Sequence, residues 1–471
     1  MAIRNRPAHE STATDAPAGE ARLDNRLALL DQAFYAGHRA AGQKEIMQVV
    51  WGYDREIDLD AITRFHGNLA HGLLGRRIER SPLPFGRYRW VSDGVASELD
   101  IAAAARPRAD FGEWLDECAR QPLDPETGPG WRLSVCSFAD GSTAVTLVMS
   151  HYVIDGIGGV VAVVMAILGD TSGQGYPPPR SRPLLRAVME DAVGVVRDAP
   201  GVFGAMRAAV EPFKQARVRR HEGETVSPRS VAVKAVSADE PAFVPSVWIR
   251  LNMDEWEARA AALGGSGSTL ATALTAKLGE RLGRRRHEDG AVNMLLVVND
   301  RKADDTRAVA VSFARFSIDP AIVTTDLRGA RASIKQALKT LRDTPDASVA
   351  LAPLTPFTPK WAWKAMVDSG LDDPDPPAVC SSLGEVGPVV IRPDGNPCDY
   401  AYLRGVDQLL TQRRLEQMGG QLQLFYGCGV EANKVGLHIR AYQPGAVVTR
   451  YELHELAVRA LAEFGLTGVI E

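Results

Sequence analysis

A chain of 471 residues exceeds what one ordinary hydrophobic core organises and points to two domains or more. Hydrophobic residues at 45%, charged residues at 24% and the lack of any run of about 18 uninterrupted apolar residues describe a globular chain and exclude an integral membrane protein. A net charge of -4 leaves no basic field for nucleic acid, and five scattered cysteines without CxxC spacing argue against a disulfide framework or a structural zinc site and suit a reducing, cytoplasmic compartment.

Residues 1–21, rich in Ala, Pro, Ser and charge and with no apolar core followed by a cleavage site, read as a flexible tail. A first unit of mixed helix and strand spans 22–175. In it QVVWGYD begins as a strand, and Leu59, Ile62, Phe65, Leu69 and Leu73 follow at helical spacing. RYRWV is a strand after a Pro-rich turn, and a helical stretch covers about Phe111 to Arg120. WRLSVCSF and TAVTLVMS form a hairpin whose turn chemistry is Asp140-Gly141. TSGQGYPPPRSR, residues 171–182, then breaks the pattern.

The linker over 176–245 carries Leu184, Val188, Ala192 and Val196 at intervals of four, interrupted at Pro200-Gly201. A pair of linking helices packed on the body is favoured over a peripheral membrane contact aided by Arg217, Arg219 and Arg220, because Glu190, Asp191 and Asp198 dilute any cationic face. The second unit, 246–471, opens with the strand SVWIRLNM and a short helix, DEWEARAAALG. The loop GGSGST leads into the helix LATALTAKLGERLGRR, with Thr269 as its expected cap; it lacks the lysine of a phosphate-binding P-loop. AVNMLLVVNDR and AVAVSFARFSI are strands, DLRGARASIKQALKTLRD a helix, and a Pro-rich passage runs to PPAVCSSLGEV. The strands QLQLFYGCGV and KVGLHIRAYQ precede a closing helix, TRYELHELAVRALAEFGL. Both units therefore look like mixed sheets with helices, an α/β organisation without strict βαβ alternation.

Histidines are the natural candidates for proton transfer near neutrality. His9 lies in the tail, His221 and His287 in charged stretches and His454 among polar residues of the last helix, while His66 and His71, five apart, do not share a helical face, so no metal site is expected. His151 follows a strongly apolar strand and precedes Asp155-Gly156, where the chain turns, and Gly158-Gly159, which lead into the apolar helix VVAVVMAILGD. That mounting suits a general base, and a core histidine bonded to backbone is the competing reading. Cys136, on a strand near His151, reads as a small apolar core residue, with no third orienting group to support nucleophilic catalysis.

SHYVIDG, Ser150 to Gly156, resembles the HHxxxDG signature of the acyltransferase superfamily that includes chloramphenicol acetyltransferase, plant acyl-CoA acyltransferases and nonribosomal peptide condensation domains. QPLDPETGPGWRLSVCSF resembles the segment preceding that signature, and LALLDQAF and RSPLPFGRYRWV resemble the opening of the bacterial wax ester synthase/diacylglycerol acyltransferase branch. The resemblance implies two chloramphenicol-acetyltransferase-like mixed-sheet subdomains in a V with a central tunnel, His151 at its middle as catalytic base. It also implies that Asp155 is an anchor paired with Arg301, that Ser150 and Arg301 give structural support, that Gly156 completes the signature, and that Ser381 or Ser382 of CSSLGEV donates hydrogen bonds to substrate.

The sequence departs from this pattern at Ser150, where the superfamily has its first histidine. It departs again at Ala271-Thr272 and Ala308-Val309, where the wax synthase branch has Asn-Asp and Gly-Asn pairs. The implied activity is transfer of an acyl group from a CoA thioester to an alcohol, with no cofactor or metal beyond the thioester co-substrate. The alternatives are a freestanding condensation enzyme taking its acyl group from a carrier protein to form an ester or amide, and a homologue that binds without catalysing.

Overall fold

The computed structural model describes residues 24–221, 240–302, 305–344, 347–369, 375–429 and 433–471; the tail expected over residues 1–21 lies outside them. Helix α1 (Leu29–Ala40) leads into β1 (Glu45–Tyr53), whose Ile46, Met47, Val50 and Trp51 are buried. Helix α2 (Leu59–Leu69) starts where the Asp58 carboxylate accepts the Ala61 N–H at 2.9 Å, and it buries Ile62, Phe65 and Leu69 from the expected stripe. Strands β2 (Arg76–Glu79) and β3 (Arg89–Ser92) form a separate two-stranded sheet, with an isolated bridge from Arg89 to Arg26. After β4 (Asp100–Ile101) and α3 (Phe111–Arg120), the expected hairpin is formed by β5 (Trp131–Ser137) and β6 (Thr143–Ser150), with Gly141 at φ 87° in its turn. Every residue of β6 is buried, as a central strand with both faces covered requires, and α4 (Gly156–Ile167) follows.

Helix α5 (Leu184–His221) runs unbroken through Pro200, where the sequence pattern suggests an interruption. Its middle lies against a 3₁₀ segment, Ala352–Phe357, with the Cα of Gly201 so close that an added Cβ would sit 3.6 Å from Pro353 Cγ. Tertiary packing there offsets the hydrogen bond that proline removes.

The remaining elements are β7 (Ser246–Asn252), α6 (Met253–Ala262), α7 (Gly267–Arg281), β8 (Val292–Asn299), β9 (Val311–Ile318), α8 (Arg328–Asp343), α9 (Ala347–Leu351) and α10 (Lys360–Ser369). They are followed by β10 (Ala378–Glu385), β11 (Tyr400–Asp407), α11 (Gln412–Met418), β12 (Gln421–Gly429), β13 (Lys434–Tyr442), α12 (Arg450–Glu463) and β14 (Val469–Ile470). Ser266, not Thr269, caps α7: its hydroxyl accepts the Thr269 N–H at 3.4 Å. Ala271 and Thr272 are buried inside the second core, where the Thr272 hydroxyl lies 3.8 Å from Cys380 Sγ. Among the described residues no helix is long and apolar enough to cross a membrane.

Two mixed sheets organise these elements. The first has the order β11-β1-β6-β5-β4, antiparallel except for the β4–β5 pair. The second has the order β14-β7-β13-β12-β10-β8-β9, with β10 parallel to both neighbours. Strand β11 leaves the 246–471 segment to become the edge of the first sheet, running antiparallel to β1 from Glu45↔Asp407 to Gly52↔Tyr400. The crossing is specified by side chains. A Cβ on Gly52 would overlap the Tyr400 ring, Tyr402 packs on Trp248 of β7 at 4.2 Å between centroids, and Arg404 donates to Gln48 of β1 at 2.7 Å.

Gly52→Ala should therefore push Tyr400 out of register and cost about 1–3 kcal/mol in urea unfolding. Most of that loss should be recovered when Tyr400→Ala is added. A loss that adds to that of Tyr400→Ala alone would show that the two positions do not share this contact.

Candidate active site

The end of β6 and the start of α4 build the site. Ser150 is buried, and its hydroxyl accepts the Tyr152 N–H at 3.4 Å inside a tight turn closed by Val153 N–H donating to the Ser150 carbonyl. The backbone N–H of His151 donates to the Glu45 carbonyl at 3.1 Å, which locks the imidazole to the first strand of the sheet. Nδ1 of His151 lies 3.1 Å from the Ile154 carbonyl oxygen. A carbonyl can only accept, so Nδ1 carries the proton and Nε2 is left with its lone pair free. Burial disfavours imidazolium and holds the His151 pKa below its ordinary value, opposed by backbone hydrogen bonding and the Asp155 charge.

Asp155 faces away from that ring. Its Oδ1 caps α4 by accepting the Gly158 N–H at 2.7 Å; its Oδ2 accepts the Ala310 N–H at 2.7 Å and Arg301 Nη2 at 2.8 Å. Arg301, just past the end of β8, also donates to the carbonyls of Asp305 and Arg307, and both charged side chains are almost wholly buried. The helix starts at Gly156 itself, so Gly158 and Gly159 belong to its first turn and do not precede it. Gly158 is required by close approach, because a Cβ there would lie 2.9 Å from Ile154, 3.1 Å from the Asp155 carboxylate and 3.2 Å from the Arg301 guanidinium carbon. At Gly156 the limit comes from Leu383 of β10, 3.2 Å from where a Cβ would be.

These groups open on a cavity of about 1490 Å³ between the two sheets. His151, Asp155 and Gly156 line it from one side, and Ser381, Ser382 and Leu383 from the other. The Ser382 hydroxyl accepts the Gly384 N–H at 3.1 Å, leaving its own proton to donate. A narrower apolar recess of about 150 Å³ shares Met47, Gly156, Leu383 and Phe425 with this cavity and continues along Met149 and Val160.

Two wall residues escape a reading of the sequence. His38 on α1 lies 4.2 Å from Phe34 between ring centroids, and Phe34 in turn lies 5.4 Å from His151, so α1 brings a second imidazole into the chamber. Burial, aided by the like charge of His151, pushes the His38 pKa down to about 4. The signal for it was the face Asp31, Phe34, His38 at helical spacing. Glu45, at the start of β1, also lines the cavity; burial and then the neighbouring Asp407 carboxylate raise its pKa. His438, equally unannounced, is buried against Trp248 and outside this chamber. Burial raises the Cys136 pKa, which disfavours a thiolate nucleophile, and among the described residues no cluster of His, Cys, Asp and Glu is arranged to hold a metal.

No family model and no curated protein sequence matches the chain. Solved structures do. Trichothecene 15-O-acetyltransferase TRI3 from Fusarium sporotrichioides superposes with a TM-score of 0.56 at 11% identity, covering 93% of this chain and 94% of that one. The first condensation domain of the CDA synthetase superposes with a TM-score of 0.51 at 13% identity, covering 96% and 100%. At such identities the likeness is one of fold: the chain has the α/β architecture of two chloramphenicol-acetyltransferase-like mixed-sheet subdomains.

Removing either member of the buried pair leaves the other charge uncompensated, so Asp155→Ala and Arg301→Ala should each destabilise the protein by about 3–5 kcal/mol. The larger loss should fall on Asp155, which also caps α4. In a double-mutant cycle the two effects should couple by about 0.5–3 kcal/mol; strictly additive losses would contradict a direct pair.

Proposed function

We propose that the protein is an acyltransferase that moves an acyl group from a CoA thioester to an alcohol, with His151 as general base. The observation that carries this reading is the hydrogen bond between His151 Nδ1 and the Ile154 carbonyl, which leaves Nε2 as the basic nitrogen. Nδ1 is committed to the Ile154 carbonyl, burial keeps the ring neutral, and the residue lines a chamber between two subdomains large enough for two substrates. The resemblance of SHYVIDG to the superfamily signature and the fold shared with an O-acetyltransferase support the same reading. Ser150, which stands where the superfamily has a histidine, serves the turn and leaves the His151 ring unaltered, which favours a catalyst over a homologue that only binds.

In this mechanism Nε2 of His151 takes the hydroxyl proton as the acceptor oxygen attacks the thioester carbonyl. The new C–O bond forms a tetrahedral oxyanion. Its collapse breaks the C–S bond, and the imidazolium returns the proton to the departing thiolate, giving ester and free thiol. Ser381 and Ser382 would donate hydrogen bonds to substrate from the opposite wall, and the apolar recess would take an aliphatic portion of the acyl group. The wax synthase resemblance of the first unit favours CoA over a carrier protein as the donor handle.

Free-thiol release across a panel of acyl-CoA donors with alcohol and amine acceptors tests the reading, with carrier-bound donors as the contrast. His151→Ala should lower kcat by about 10²–10⁴-fold with the fold intact by circular dichroism, whereas unchanged turnover would remove the base. Because the His151 pKa is held down, kcat/KM should stay level as pH falls towards 6.5 and drop only below it. An acid limb above 6.5 would mean that another group titrates.

A further inference from the structure

Helix α5 is mounted with its apolar side outwards. Leu185, Met189, Val193, Val196 and Phe203 repeat at helical spacing along one face, with exposures of 80%, 70%, 60%, 73% and 68%. At ~1.5 Å per residue this stripe is roughly 30 Å long, more than a monomer leaves bare by chance. The side turned towards the body is the acidic one. Asp191 is held by Arg89 and Arg182, each at 2.9 Å, and by Ser81 at 2.6 Å; Asp198 meets Arg26 at 3.4 Å, and Glu190 meets Arg186 at 2.9 Å. Of the acids that dilute a cationic face, Asp191 and Asp198 are drawn to the inner side by arginines of the body, whereas Glu190 also pairs with Arg186 on the helix itself. Arg197 and Arg207 are exposed beside the stripe, Arg186 is exposed but paired with Glu190, and the helix sequence continues through Lys214, Arg217, Arg219 and Arg220.

From this arrangement we infer that α5 docks on an anionic lipid surface, its apolar stripe in the headgroup boundary and its arginines on lipid phosphates. Contiguous apolar side chains with the cations Arg197 and Arg207 at the margin are what an interfacial helix requires. A second copy of the chain would set the same arginines against each other. The sequences outside the described residues, 1–23 and 222–239, hold few large apolar side chains with which to cover the stripe. Helix α9 packs against α5, and its Val349 lines the main cavity, so the docked protein holds one rim of that cavity near the lipid surface. The inference does not depend on the acyl-transfer reading.

Flotation of the full chain with phosphatidylcholine vesicles, with and without phosphatidylglycerol, tests it. The chain should float with the anionic vesicles and be released in part by high salt. Val193→Asp with Phe203→Asp should weaken that binding at least ~10-fold, and Arg197→Gln or Arg207→Gln by roughly 5-fold each, all without a change in Tm because these side chains are exposed. No flotation, or equal flotation on neutral vesicles that survives both sets of substitutions, would overturn the inference. So would a concentration-dependent dimer dispersed by Phe203→Asp, which would assign the stripe to a second copy. Thiol release without vesicles is measured separately, so failure of one reading is distinguishable from failure of the other.

Discussion

Asp155 satisfies three hydrogen-bond donors from three places: Gly158 at the start of α4, Ala310 before β9, and Arg301 after β8. An isolated buried carboxylate is among the costliest groups a fold can contain, and so is an isolated buried guanidinium. Each is tolerable because the other is within 2.8 Å. The second sheet is thereby obliged to meet the first at the strand end that carries His151. A second carboxylate reinforces the junction from α1: Asp31, also buried, accepts the N–H groups of Ala308 at 2.8 Å and Val309 at 3.0 Å. Two acids of the first subdomain thus hold one loop of the second, at the positions where a Gly-Asn pair was expected from the wax synthase pattern.

The junction's structural roles fall within nine residues around His151, from Ser150 to Gly158. Ser150 shapes the turn, Asp155 ties the subdomains, and Gly158 lets the guanidinium approach. None of them touches the free side of the His151 ring. Since the nearest carboxylate spends its lone pairs on other donors, its pull on the His151 imidazole is outweighed by burial, which disfavours the cation. His38 is driven the same way. Burial thus disfavours the cation on both imidazoles beside Phe34, while Glu45 and several arginines line other parts of the chamber.

What the sequence disclosed depended on how local the governing contacts are. The β5–β6 hairpin was legible because Asp140-Gly141 and two apolar runs are adjacent. Helices α2 and α4 announced themselves by spacing. Strands β10 and β11 did not: β10 places Ser381, Ser382 and Leu383 along a cavity wall, and β11 buries Arg404 in alternation with tyrosines, because Gln48 and Asp116, hundreds of residues away, receive it. His38 was hidden for the same reason, since only the folded position of α1 gives it a role. Helix α5 packs on the body as its pattern suggests, but counting Glu190, Asp191 and Asp198 could not reveal that Arg26, Arg89 and Arg182 would hold Asp191 and Asp198 on its inner side.

Strand β11 also bears on how the chain is made. Lys44 and Asp407, joined by a hydrogen bond of 2.9 Å, are 363 residues apart, and β1 has no partner on that edge until Tyr400 to Asp407 have been synthesised. Throughout that interval the ribosome-bound first subdomain presents an open strand edge flanked by Val49 and Trp51, a template for pairing with other chains. Completion of the first sheet therefore waits on a strand that follows β7 to β10 of the second, a long-range closure of the kind that slows folding.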